Sequence, residues 1–191
     1  MITIMTEISF LTGELLLAAM WLIVRAAVCI RKRHIDPKRE ALLLLMYVNL
    51  AVLLRFVFYP MERVNGHVQP LLFDPDAVFP LRVNPVPFVH ILEYDSLRDT
   101  LLNIIGNAVM FIPTGIVLPV LYKRLNSFWR VTAAGAGISL AVELLQLPFS
   151  VRATDIDDLI LNTLGCMTGY AVYAGIRAVF RKRSNQNSKS K

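Results

Sequence analysis

Cysteine is nearly missing from this chain. Only Cys29 and Cys166 occur among 191 residues, so no disulfide framework is implied. Charge is also scarce, at 18% of residues against roughly 25% in an ordinary soluble domain. The hydrophobic share of 55% excludes a disordered chain, because disorder needs low hydrophobicity. His34, His67 and His90 have no metal-ligand spacing. There is no serine-nucleophile motif, phosphate loop, zinc signature or internal repeat, and no cofactor is expected. Residues 1–10 hold no Lys or Arg, so the positive region that opens a cleavable signal peptide is absent.

What is abundant is apolar residues gathered in blocks. The longest uncharged run, 100–122, clears the roughly 20 residues needed to cross a bilayer core. A second run covers 159–176, and apolar character resumes past Arg177 as far as Phe180. Three more blocks are each broken by one ionisable residue: 15–30 by Arg25, 41–59 by Arg55 and 131–147 by Glu143. The expected fold class is therefore all-α: a polytopic integral membrane protein with helices near 10–30, 41–59, 100–122, 131–147 and 159–180. A soluble bundle would need polar helix faces that these segments lack.

Charge sidedness gives an independent reading of the helix count. With five crossings and an outside N-terminus, the cytoplasmic pieces are 31–40, 123–130 and the tail from Arg177, which together carry 14 Lys and Arg. The outer loops carry four, Arg63, Arg82, Arg98 and Arg152. That is the positive-inside bias, and four or six helices would misplace a basic cluster. The net charge of +6 is thus a small difference: with Arg25 included, the inner side holds 15 basic and two acidic residues, and the remainder is acidic. These juxtamembrane clusters do not form a nucleic-acid reading surface, so nucleic acid is not an expected partner. Tyr59, Tyr94, Tyr122 and Trp129 fall near the expected boundaries, as an aromatic belt would. Residues 1–183 read as one transmembrane domain, and 184–191 as a polar, unstructured cytoplasmic tail. Cys29 and Cys166 read as packing residues.

Polar residues inside the apolar blocks converge on the outer side. Asn103 and Asn107 share a face of the third helix at i,i+4 spacing. Glu143 and Gln146 share a face near the end of the fourth. The following loop carries Arg152, Asp155, Asp157 and Asp158, and Asp158 and Asn162 open the fifth helix at i,i+4. A charge in mid-membrane faces protein or a wet cavity. Glu143 either pairs with Arg55 or Arg152 and ties helices together, or belongs to a site as a ligand group or general base. The asparagines either bond between helices or bind a ligand. Asp155, Asp157 and Asp158 are oxygen donors of the type a cation takes, but short acidic runs more often cap helices, and no metal is expected. Gly165 and Gly169 form a small-xxx-small pair that marks close packing, and Pro113 with Gly115 suggests a kink in the third helix.

The stretch Asn103-Ile-Ile-Gly-Asn107-Ala-Val-Met-Phe-Ile-Pro113-Thr-Gly115 resembles the N-x-x-x-N-…-F-x-P-x-G core of the VanZ-like family. Glu143-Leu-Leu-Gln146, followed by Arg152-Ala-Thr-Asp155-Ile-Asp157-Asp158 and Asn162-Thr-Leu-Gly165, is similar to that family's second signature. Asn84-Pro-Val-Pro-Phe88 is similar to its N-x-x-P-F element. The resemblance implies a bacterial cell-membrane protein of the type associated with glycopeptide (teicoplanin-like) resistance. The candidate outer-face site is then Asn84, Asn103, Asn107, Glu143, Gln146, Arg152, Asp155, Asp158 and Asn162. Its expected partners are membrane lipids and a cell-wall precursor or lipid headgroup. The alternative is an enzyme acting on a lipid-linked or wall substrate, with Glu143 and Asp155 as acid and base.

Overall fold

A computed structural model describes residues 6–32, 35–60, 63–80, 82–89, 96–149 and 154–189. Among the described residues, five helices are long and apolar enough to cross a membrane. They are α1 (Phe10–Lys32), α2 (Pro37–Leu53, extended by a π-helical turn Leu54–Phe58), α3 (Leu97–Leu121), α4 (Phe128–Gln146) and α5 (Ile156–Lys189). Each matches one of the apolar blocks, with ends set by local chemistry. Asp36 caps α2 by accepting from the Lys38 and Arg39 amides, and Pro37 fills the first helical position, where its missing N–H costs nothing. Ser96 caps α3 by accepting from the Asp99 amide, while its hydroxyl donates to the Asp99 carboxylate at 2.7 Å. α3 continues through Pro113 and Pro119.

One expectation fails. The segment from 184, read as unstructured, stays helical to Lys189. Its Ser and Asn content is unfavourable, but it extends a helix already formed, so the nucleation cost does not recur.

The chain divides into two compact units, the first comprising 1–88 and 140–156 and the second 89–139 and 157–191. In the first, the segment between α2 and α3 folds into short strands that the apolar blocks do not announce. β1 (Thr6–Ile8) pairs antiparallel with β4 (Leu71–Phe73), placing Ile8 opposite Leu71. β2 (Arg63–Val64) and β3 (His67–Val68) form a hairpin around Asn65 and Gly66, whose φ values of 51° and 79° suit a two-residue turn. β5 (Val83–Asn84) lies parallel to β6 (Thr154–Asp155), which sets Asn84 opposite Asp155.

Tyr59 anchors this unit. It is fully buried, its hydroxyl donates to the Ser9 carbonyl at 2.9 Å, and its ring meets Phe10 edge-on at 5.4 Å. A side chain at Gly13 would collide with that hydroxyl, so α1 approaches Tyr59 only through a glycine. α1 has no buried residue, and Ile23, for example, is 69% exposed. Such a surface suits lipid and not water.

Arg25, which interrupts the apolar stretch of α1, is bonded to Glu40 in the first turn of α2. Removing one partner leaves the other charge unmatched beside apolar surface, which costs more than removing both. Glu40→Gln is expected to lower stability by about 1 kcal/mol. Arg25→Leu combined with Glu40→Leu should recover at least half of that. Unfolding in mild detergent measures both, and a double variant weaker than the single one counts against the pairing.

In the second unit, α3 and α5 approach closely through glycine. A Cβ at Gly165 would meet the Ala108 carbonyl, one at Gly169 the Ile112 carbonyl, and one at Gly115 the Cys166 carbonyl. Phe111, Val117, Val131 and Cys166 fill its core. Cys166 is a packing residue, as its sequence context suggests: its thiol faces the Val131 carbonyl at 3.6 Å and occupies the space that Gly135 leaves open on α4.

Candidate functional site

Among the described residues, two polar clusters occur, one in each unit. The first is built where β6 meets the last turn of α4. Glu143 is 1% exposed, and its Oε2 accepts from the Asp155 amide at 3.1 Å. Its backbone carbonyl, one of the four that a helix end leaves without intrahelical partners, accepts from the Thr154 hydroxyl at 3.1 Å. The β5–β6 ladder then brings Asn84 to the same place. Its Nδ2 lies 3.3 Å from each carboxylate oxygen of Asp155. The amide is oriented because Asn84 Oδ1 accepts from the Val86 N–H at 3.2 Å, an Asx-type turn.

Gln146 follows Glu143 by three positions and is 4% exposed. Its Nε2 donates to the Val57 carbonyl at 2.8 Å, in the π-helical turn that ends α2. Among the described residues nothing donates to its Oε1. A buried acceptor of this kind is costly unless something supplies a donor. The cluster is therefore rich in acceptors, with two carboxylates and a buried amide oxygen.

Arg55 does not neutralise it. The guanidinium donates to the carbonyls of Tyr59 and Pro60, at 3.4 and 3.2 Å, and lies over the rings of Phe10 and Phe56. The pairing of Glu143 with Arg55, one alternative left open by the sequence, is not formed. The other, with Arg152, falls outside the described residues, as do His34, His90 and Tyr94.

The second cluster lies between α3 and α5. Asn107 donates to the Asp158 carboxylate. One turn along α5, Asn162 is 1% exposed and donates to the Ser139 hydroxyl of α4 at 2.9 Å. Among the described residues nothing donates to Asn162 Oδ1. Asp157, 2% exposed, sits in the first turn of α5, where the positive helix end favours a carboxylate. Asn103 is half-buried on α3 and, among the described residues, is hydrogen-bonded to neither cluster.

Of the residues singled out from sequence, Asn84, Glu143, Gln146 and Asp155 come together in the first unit, and Asn107, Asp158 and Asn162 in the second. Thr154, Ser139 and the Val57 carbonyl were missed. For Ser139 a signal existed, because Ser139, Glu143 and Gln146 follow one another at i, i+4 and i+7, on one face of a helix. For the Val57 carbonyl there was none.

The profile of the VanZ/LLP1 family matches residues 41–180. A 71-residue stretch is 39% identical to Protein VanZ of Enterococcus faecium, taking in 37% of this chain and 44% of that one. The match thus spans less than half of that relative's length. No solved structure matches the chain.

Proposed function

This chain belongs to the VanZ/LLP1 family, and from that premise we propose that it binds a cell-envelope component at the outer face of the bacterial cell membrane, contributing to glycopeptide (teicoplanin-type) resistance. The ligand in this reading is a cell-wall precursor or a lipid headgroup. The observation that carries it is Glu143. A carboxylate with 1% exposure at the end of a membrane helix is expensive to keep. This one is held by a backbone N–H, beside Asp155 and a Gln146 oxygen to which nothing donates among the described residues. Such an acceptor-rich wall suits the hydroxyls of sugars and the ammonium groups of peptides or headgroups. The excess of Lys and Arg in 31–40, 123–130 and the segment from 177 supports placing it outside.

The test is expression in a susceptible bacterium at matched protein levels. The unaltered chain should raise the inhibitory concentration of teicoplanin, and Asp155→Asn should lose most of that gain. If Asp155→Asn performs as well as the parent, the site is misassigned.

A second reading, an enzyme modifying a lipid-linked or wall substrate, is favoured by the link between Glu143 and Asp155. Two carboxyl groups in unlike surroundings are a recurrent acid–base arrangement. Incubating the purified protein with envelope lipids and searching for a new product by mass spectrometry separates the readings. No product, with binding retained, leaves the binding role.

A further inference from the structure

Within the second unit, the part of α5 near Arg177 carries a feature unrelated to the polar clusters. Tyr170, Tyr173, Ala174, Arg177, Ala178 and Arg181 follow at i, i+3, i+4, i+7, i+8 and i+11, one continuous face of the helix. With Asn126, next to the 3-10 turn Lys123–Leu125, and with Lys182, they line a groove of about 490 Å³. Its composition is ordered. The two alanines leave room where larger side chains would fill the space, the tyrosines stand at one end, and the three cations stand at the other. Tyr170 is held in place by ring contacts to Phe128 at 6.0 Å and Tyr173 at 5.8 Å.

No Asp or Glu occurs in 100–142 or 159–191. Among the described residues, none of Arg177, Arg181 and Lys182 makes an ion pair. Two guanidiniums and an ammonium around a groove suit a phosphate, which arginine grips through paired N–H donors.

We infer that this groove binds the headgroup phosphate of an anionic phospholipid. Two observations favour a lipid over a free anion. The apolar run of α5 ends at Phe180, so the cations straddle the level at which a membrane helix leaves the hydrocarbon, where lipid phosphates lie. Ile176, Val179 and Phe180 are 51%, 54% and 66% exposed on the same stretch, which offers acyl chains a surface beside the cations.

The experiment uses the full chain purified in mild detergent, with phosphatidylglycerol, phosphatidylcholine and inorganic phosphate as probes, read by native mass spectrometry. The parent should retain one phosphatidylglycerol in preference to phosphatidylcholine. Arg177→Gln with Arg181→Gln should weaken that binding by about tenfold or more. Arg31→Gln with Lys32→Gln, which removes the same charge from residues that do not line the groove, should change it by less than about twofold. Ala178→Leu, which fills the groove and alters no charge, should also weaken retention, so the site is tested without relying on an arginine variant that folds poorly. Equal losses from the two charge pairs would mean diffuse attraction and overturn the inference. So would unchanged binding in Ala178→Leu, or retention of phosphatidylcholine or inorganic phosphate as strong as that of phosphatidylglycerol.

Discussion

Glu143→Gln is expected to abolish the proposed resistance contribution while leaving the protein folded and abundant. Glutamine keeps the size of the side chain and an oxygen able to accept from the Asp155 amide, so the contact between β6 and α4 survives. What it loses is the charge, and a hydrogen bond to a charged group is worth about 1.5–3 kcal/mol. Affinity for a ligand bonded by Glu143 should therefore fall by about tenfold to a hundredfold. The inhibitory concentration of teicoplanin should drop to that of cells without the protein. Glu143→Ala is a different experiment. It leaves the Asp155 amide without its acceptor and opens a cavity, so stability falls as well as function. If Glu143→Gln matches the parent in resistance and only Glu143→Ala fails, the carboxylate is scaffolding, and the binding role proposed for this cluster is wrong.

The helices were legible because they obey a rule of length and composition. An uncharged run such as 100–122 has few alternatives to a membrane helix, and the positions of Arg31, Lys123 and Arg181 fixed the count. The strands were not legible, for a physical reason. Strands of two or three residues leave no alternation to detect. Pairs such as Asn84 with Asp155, 71 positions apart, rest on tertiary contacts that no local pattern records. Site residues were recognised as a set, through spacing within a helix and through resemblance, but their partners were not. Asn107 had several conceivable acceptors and takes Asp158, whereas Arg55 had a conceivable carboxylate and takes the carbonyl oxygens of Tyr59 and Pro60, just past the π-helical turn that ends α2.

Gly165→Ala should be the most damaging single-methyl change in the second unit, and Gly175→Ala should be harmless or stabilising. The contrast comes from what each new methyl meets. At Gly165 it runs into the backbone carbonyl of Ala108, which no rotamer change can move aside, so α3 and α5 have to separate. Overpacking of a core costs about 1–3 kcal/mol, and a backbone obstacle puts this case at the upper end. At Gly175 nothing lies within 4 Å, so only the helix-forming advantage of alanine over glycine is felt, about 1 kcal/mol in its favour. Gly169→Ala and Gly115→Ala should resemble Gly165→Ala, because the Ile112 and Cys166 carbonyls block them in the same way. Thermal unfolding in detergent reads the order directly. The same measurement bears on function, because the spacing of α3 and α5 sets the reach of Asn107 to Asp158. A Gly165→Ala protein as stable as the parent would mean that the helices do not pack through these glycines. The Asn107–Asp158 pair would then need another explanation.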